Sequence, residues 1–192
     1  MKVKFKTLTE SDERAVENLA AETGLSYSGA RILFLRGINS ADGVREFLHP
    51  SKTNFNDPHG LKGIDEAVER LTKARDNNET VVVYGDYDAD GICAATVMVK
   101  SLKIFGINAS AVIPERENGY GLSVEVIDEV VETYLPDLIV TVDCGISGVK
   151  EVEYLKDLGV DVIVTDHHEI PDEIPDAITV NCKFKDQAYP FS

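Results

Sequence analysis

No uncharged apolar stretch in this 192-residue chain approaches the ~20 residues of a membrane-spanning helix, so a polytopic membrane protein is excluded. The basic start, Met1-Lys-Val-Lys-Phe-Lys, is not followed by the apolar block of a secretory signal. Cysteine is scarce. Cys93, Cys144 and Cys182 are odd in number, widely spaced and form no CxxC pair. Free thiols in a reducing cytoplasm are the expectation, with no membrane as a partner. Internal repeats and low-complexity tracts are lacking too. With 43% hydrophobic and 28% charged residues, the composition is that of a folded globular protein.

Basic residues are short in one half only. Residues 1–80 carry 12 Lys/Arg against 13 Asp/Glu, whereas residues 81–192 carry 7 against 21. The net charge of −15 therefore sits almost wholly in the second region. On charge alone, nucleic acid is an unfavoured partner. Some of the acids are clustered at loop positions, where carboxylates either repel one another or hold cations.

The first region reads as helical. Thr9 or Ser11 can cap a helix marked by Ala15, Val16, Leu19 and Ala20 and ending near Gly24. Ser26 or Ser28 opens a second through Ile32, Leu33 and Leu35, and Ser40 a third with Val44, Phe47 and Leu48, stopped by Pro50. After an Asn-, Asp- and Pro-rich loop (51–60), Ile64, Ala67, Val68, Leu71 and Ala74 mark a fourth helix. From residue 80 short β-branched runs alternate with helical patterns. The strands are expected at 81–84, 109–113, 138–142, 160–164 and 177–180, with helices near 92–105, 123–134 and 147–158. Continuous apolar strands alternating with helices predict an α/β fold, a parallel sheet flanked by helices, with an N-terminal helical segment. The expected division is a helical segment over 1–78 and an α/β domain over 79–192.

Open parallel sheets bind ligands beyond the carboxyl ends of their strands. After the first expected strand comes Gly85-Asp86-Tyr87-Asp88-Ala89-Asp90-Gly91, after the third Asp143-Cys144-Gly145, and after the fourth Thr165-Asp166-His167-His168. A single aspartate at a strand end is ordinarily a cap or turn residue. Five aspartates and two histidines from three strands, delivered to one sheet edge, predict a divalent metal site. In an extended stretch Asp86, Asp88 and Asp90 share one parity and aim the same way. Mixed carboxylate and imidazole ligation favours Mn2+, Zn2+ or Fe2+ over Mg2+. So many ligands suit two ions ~3.5–4 Å apart, a spacing that serves phosphoester hydrolysis. Asp143, alone on its strand end, is the candidate bridge.

Other motifs fit less well. Residues 85–91 lack the Gly-Lys-Ser/Thr of a Walker A loop and are not GxGxxG. As a calcium hand, Asp86, Asp88, Asp90 and Gly91 fit the first half, but the twelfth position is Val97. Cys93 and Cys144 read as small core residues.

At these residues the sequence resembles the DHH phosphoesterase superfamily, whose name is the triplet Asp166-His167-His168. Residues Gly85–Gly91 match its first motif and Val142-Asp143-Cys144-Gly145-Ile146 its second. Within it, the RecJ exonuclease family is the nearer resemblance. Thr23-Gly24-Leu25-Ser26, Arg36-Gly37-Ile38, Phe47-Leu48-His49-Pro50, Asp57-Pro58 and Arg116 with Gly119-Tyr120-Gly121-Leu122 extend the match across essentially the whole chain. This resemblance implies 5′–3′ hydrolysis of single-stranded DNA with two Mn2+ ions, Mg2+ being an alternative, in recombination and repair. By it, Asp88 and Asp143 would hold one ion, and Asp90, Asp143 and His167 the other. Asp86 and Asp166 would lie at or just outside the ligands, and His168 would contact the scissile phosphate. Arg116 is a candidate phosphate clamp and Tyr120 a candidate base-stacking platform; a plain loop arginine and a packed turn tyrosine are the alternatives.

Two departures qualify the resemblance. Tyr84 stands where some superfamily members place a histidine, so one ion would have fewer protein ligands. The family's fourth motif, a downstream metal-binding aspartate, has no counterpart in the 24 residues after His168. The expectation is an N-terminal fragment or split subunit, whose basic DNA-binding surface belongs to a C-terminal half present as a separate chain. A phosphodiesterase for short oligoribonucleotides or cyclic dinucleotides, and a scaffold without turnover, remain the competing readings.

Overall fold

The computed structural model describes residues 7–51 and 55–190; the basic start at 1–6 lies outside them. Two compact units divide at Phe55 and Asn56. The first contains α1 (Glu10–Thr23), α2 (Tyr27–Leu35) and α3 (Ala41–Leu48). Each begins at a hydroxyl that accepts a backbone N–H: Thr9 from Asp12, Ser26 from Gly29 and Ser40 from Gly43. The Asp12 carboxylate returns the bond to the Thr9 N–H at 3.0 Å, a reciprocal cap. Val16, Leu19, Ala30, Leu33 and Val44 form this unit's core. Phe47 and Leu48 mark the third helix in the sequence, but they are 53% and 45% exposed, and Val44 alone of α3 is buried.

The second unit contains α4 (Ile64–Asn77), β1 (Val81–Gly85), α5 (Ala89–Phe105), β2 (Ser110–Val112), α6 (Val124–Tyr134), β3 (Leu138–Val142), α7 (Val149–Asp157), β4 (Asp161–Asp166) and β5 (Ile178–Asn181). Its five strands are all parallel, in the order β2-β1-β3-β4-β5. Alternation along β1 shows why both faces are covered. Val81 and Val83 pack with Ala95 and Leu102 of α5, while Val82 and Tyr84 pack with Ile127 of α6 and Leu155 of α7. The α/β expectation therefore holds, with all five strands near their expected places.

The boundary falls elsewhere than 78/79. Ala67 and Ala74 of α4 enter the same cluster as Val81, Val83 and Val180, so α4 belongs to the sheet's unit rather than to the N-terminal helices. The cysteines are unpaired. Among the described residues no helix is long and apolar enough to cross a membrane.

Strand order and register position the site. The chain leaves β1 for β2 on one side and later returns to β3 on the other. The carboxyl ends of β1 and β3 therefore flank the point where the winding reverses, which is where such sheets open a crevice. Gly85 pairs with Val142, Val142 with Thr165, and Thr165 with Val180. One residue on from that row stand Asp86, Asp143 and Asp166, side by side on adjacent strand ends spaced about 4.8 Å.

Candidate metal centre

The turn after β1 departs from the extended run expected of residues 86–90. Helix α5 starts at Ala89, three residues before the expected Ile92, because Asp88 caps it. The Asp88 Oδ1 accepts the N–H groups of Asp90 (2.9 Å) and Gly91 (3.0 Å). Asp90 consequently lies in the first helical turn and is exposed, not on a common line with Asp86 and Asp88. Gly91 is demanded by packing. A Cβ there would stand 2.4 Å from the Asp86 carbonyl oxygen and 2.5 Å from its nitrogen. The start of α5 thus lies directly on the backbone of Asp86.

The turn after β3 is equally constrained. Asp143 adopts φ 61°, a left-handed conformation that aspartate tolerates better than most residues, and Gly145 follows at φ 107°. The buried Thr141 hydroxyl donates to the Cys144 carbonyl at 2.9 Å and closes the turn.

The aspartates are used in two ways. Asp166 accepts four hydrogen bonds. Its Oδ1 accepts the N–H groups of His167 (2.7 Å) and His168 (3.0 Å) and the His168 Nδ1–H (2.7 Å), and its Oδ2 accepts the Ile146 N–H at 3.0 Å. Burial pushes the Asp166 carboxyl up, but these donors outweigh it and hold the group below the usual carboxylate range. Asp86 and Asp143, by contrast, are buried with one carboxylate oxygen, Oδ2 in each, that meets no hydrogen-bond partner among the described residues. A buried acceptor left unmet is costly unless something absent from the protein itself meets it.

The charge balance points the same way. Burial and the neighbouring Asp88 carboxylate push Asp143 up, opposed by His167, whose Nε2 lies 2.8 Å from Asp143 Oδ1, and by His168. Asp88 is held low, chiefly by the Gly91 N–H against burial, with the Asp90 N–H adding. Asp143, His167 and His168 each bring a donor atom within 4.8 Å of the others. A carboxylate crowd with unmet oxygens and two imidazoles is a donor set that fits a divalent cation.

His168 is oriented by two neighbours. An ionised carboxylate only accepts, so the bond to Asp166 places the proton on His168 Nδ1 and turns Nε2 outward. There Nε2 lies 3.3 Å from the Tyr120 hydroxyl. Burial and the charges of Asp86, Asp88 and Asp143 push that phenol up to about 12. Arg116 places its guanidinium 5.2 Å from the Tyr87 ring centroid. Tyr84 is fully buried on the α6 and α7 face, and its hydroxyl donates to the Gly121 carbonyl at 3.3 Å. It braces the Tyr120 loop and does not take a histidine's place among the ligands.

One contributor goes unnoticed in the sequence. Asn181, fully buried at the end of β5, donates from Nδ2 to the His168 carbonyl at 3.0 Å. Its pairing with Asp166 places it in the same row, but an asparagine 13 residues past the triplet carries no local signal.

Residues 80–189 match the family model described as "DHH family, N-terminal domain". The single-stranded-DNA-specific exonuclease RecJ of Bacillus subtilis (strain 168) is 37% identical over 182 residues, covering 94% of this chain and 23% of that protein. Its counterpart in Salmonella typhimurium is 41% identical over 163 residues, covering 83% and 27%. Among solved structures, RecJ in complex with Mn2+ from Thermus thermophilus superposes with a TM-score of 0.69 at 29% identity, covering 96% of this chain and 26% of the other. An exonuclease RecJ bound to manganese gives a TM-score of 0.61 at 38% identity, over 66% and 32%. The chain thus spans about a quarter of the length of the curated relatives it matches.

Proposed function

The chain belongs to the DHH family, and from that premise we propose that it is the metal-binding portion of a RecJ-type exonuclease, hydrolysing single-stranded DNA from the 5′ end. The observation that carries this reading is the in-register row of Asp86, Asp143 and Asp166, with an unmet oxygen on each of the first two and the histidine pair within ligand reach of Asp143.

In this reading Asp88, Asp90, Asp143 and His167 hold two Mn2+ ions, with Asp86 at their edge and Mg2+ as an alternative. Bound there, the ions supply Lewis acidity toward a phosphodiester and an activated water. The chain's own residues do the rest. Asp166 lies at or just outside the ligands, its oxygens accepting four hydrogen bonds, and it fixes the tautomer and direction of His168. His168 Nε2 is then the atom that meets the scissile phosphate, donating to a phosphate oxygen when protonated. Arg116 receives a neighbouring phosphate, for which a planar guanidinium is suited. Tyr120 offers its ring to a base at the mouth of the site. The cytoplasm as the compartment completes the proposal.

The test is calorimetric titration of this chain with MnCl2 beside Asp143→Ala, followed by digestion of long single-stranded DNA labelled at either end, with the remainder of the relatives' length supplied. Two sites lost in the variant, with loss of the 5′ label first, are expected. Cleavage confined to di- and trinucleotides would instead favour the short-oligonucleotide phosphodiesterase. Failure of the chain to bind Mn2+ even when combined with the missing remainder would favour a scaffold.

A further inference from the structure

Tyr87 sits between Asp86 and Asp88, yet it belongs to a different set of contacts. Its ring meets Tyr120 edge-on, with centroids 5.9 Å apart and planes at 85°. Tyr120 in turn meets His168 at 5.8 Å and 90°. On the other side the Tyr87 ring carries the Arg116 guanidinium. An unbroken run of contacts therefore leads from Arg116 through two tyrosines to the outward nitrogen of His168.

That arrangement answers an electrostatic difficulty. Arg116 is one of only 7 basic residues in the acidic second region, and four residues on, Tyr120 already feels the charges of Asp86, Asp88 and Asp143. Among the described residues, the Oδ2 atoms of Asp86 and Asp143 have no hydrogen-bond partner. Arg116 rests on Tyr87, a residue flanked in the chain by Asp86 and Asp88, and a guanidinium in an acidic neighbourhood ordinarily pairs with carboxylates, two N–H groups at a time. Paired in that way, it would occupy the oxygens that a cation needs and would have fewer donors and less charge left for a phosphate. The guanidinium instead lies on the face of Tyr87, where the ring's negative quadrupole competes for the same positive charge without a carboxylate.

We infer that Tyr87 is a positioning residue: its ring holds Arg116 off the carboxylates of Asp86, Asp88 and Asp143, leaving them for cations and leaving the guanidinium for substrate phosphate. The clause about phosphate rests on the proposed function; the clause about the carboxylates does not. The tyrosine hydroxyl takes no part, so phenylalanine serves equally.

Two measurements test this. In metal-free protein, NMR reads the δ protons of Arg116, which a ring face shifts upfield. The shift is expected in the parent and in Tyr87→Phe and absent in Tyr87→Leu. A parent spectrum with unshifted Arg116 protons overturns the inference. Titration with MnCl2 gives the consequence: Tyr87→Phe binds like the parent, and Tyr87→Leu binds about 3- to 5-fold more weakly. Adding Arg116→Ala to Tyr87→Leu restores the affinity, because the competing cation is gone. A double variant as weak as Tyr87→Leu would mean that the loop is merely distorted, and would also overturn the inference. Neither readout involves DNA, so a chain that fails to cleave DNA leaves both comparisons standing.

Discussion

Replacing Gly91 by alanine sets helix propensity against packing, and the structure decides the sign. Gly91 and Gly29 hold the same station, the third residue of α5 and of α2, and each donates its N–H to the capping side chain. On propensity alone, Gly→Ala at either position stabilises by about 0.4–1 kcal/mol. At Gly29 a Cβ meets Ser26 Oγ at 3.4 Å, an ordinary contact, so the gain is realised. At Gly91 it meets three backbone atoms of Asp86 at 2.4, 2.5 and 2.7 Å, none of which can rotate away. Overpacking of this kind costs about 1–3 kcal/mol. Pushing α5 back also weakens the Asp88 cap, worth about 1 kcal/mol. The net expectation for Gly91→Ala is a loss of roughly 2–3 kcal/mol, lowering Tm of the sheet unit by about 6–15 °C at roughly 3–5 °C per kcal/mol. Differential scanning calorimetry in metal-free buffer reads both variants. A Gly91→Ala protein that melts at or above the parent temperature would refute the close approach of α5 to Asp86, and with it the geometry assigned to the first motif.

Asp143→Asn removes a carboxylate that burial and Asp88 push up. A raised carboxyl favours the protonated native state, so its stabilisation is present at low pH and is lost as pH rises through the folded pKa; at pH 7 the ionised group is a liability. Asparagine also accepts φ 61°. Metal-free Asp143→Asn should therefore melt at or above the parent temperature at pH 7 while losing Mn2+ binding by calorimetry, and a marked drop in Tm would contradict the account. The thiols make a third comparison. Burial first, then Asp86, Asp166 and Asp143, push Cys144 well above the usual thiol range, whereas Cys93 is exposed. Iodoacetamide at pH 8 should label Cys93 quickly and Cys144 only after denaturation, as read by peptide mass spectrometry; early labelling of Cys144 would deny its burial.

Much of the fold follows from local chemistry. Thr9, Ser26 and Ser40 compete successfully for the first backbone N–H groups wherever the chain folds, so the helix starts of the first unit are legible. The β-branched runs and the acids at their ends are legible for the same reason, since period and punctuation are properties of neighbouring residues. Asp88 marks the limit of that reading. It looks like one of three equivalent carboxylates, but its bond to the Gly91 N–H makes it a helix cap and carries Asp90 into the helix.

By itself, then, the sequence determined the order of elements, the parallel α/β class and the delivery of Asp86, Asp143, Asp166, His167 and His168 to strand ends. Only the tertiary structure decided that register sets three of those aspartates in one row where the winding reverses. It also separated Asp166, spent on four hydrogen bonds, from Asp86 and Asp143, each with an unmet oxygen, and it brought in Asn181 and Tyr87. The physical reason is that register and the allotment of hydrogen bonds are settled between strands and loops far apart in the chain. No local period records which of two identical aspartates will find its donors already taken.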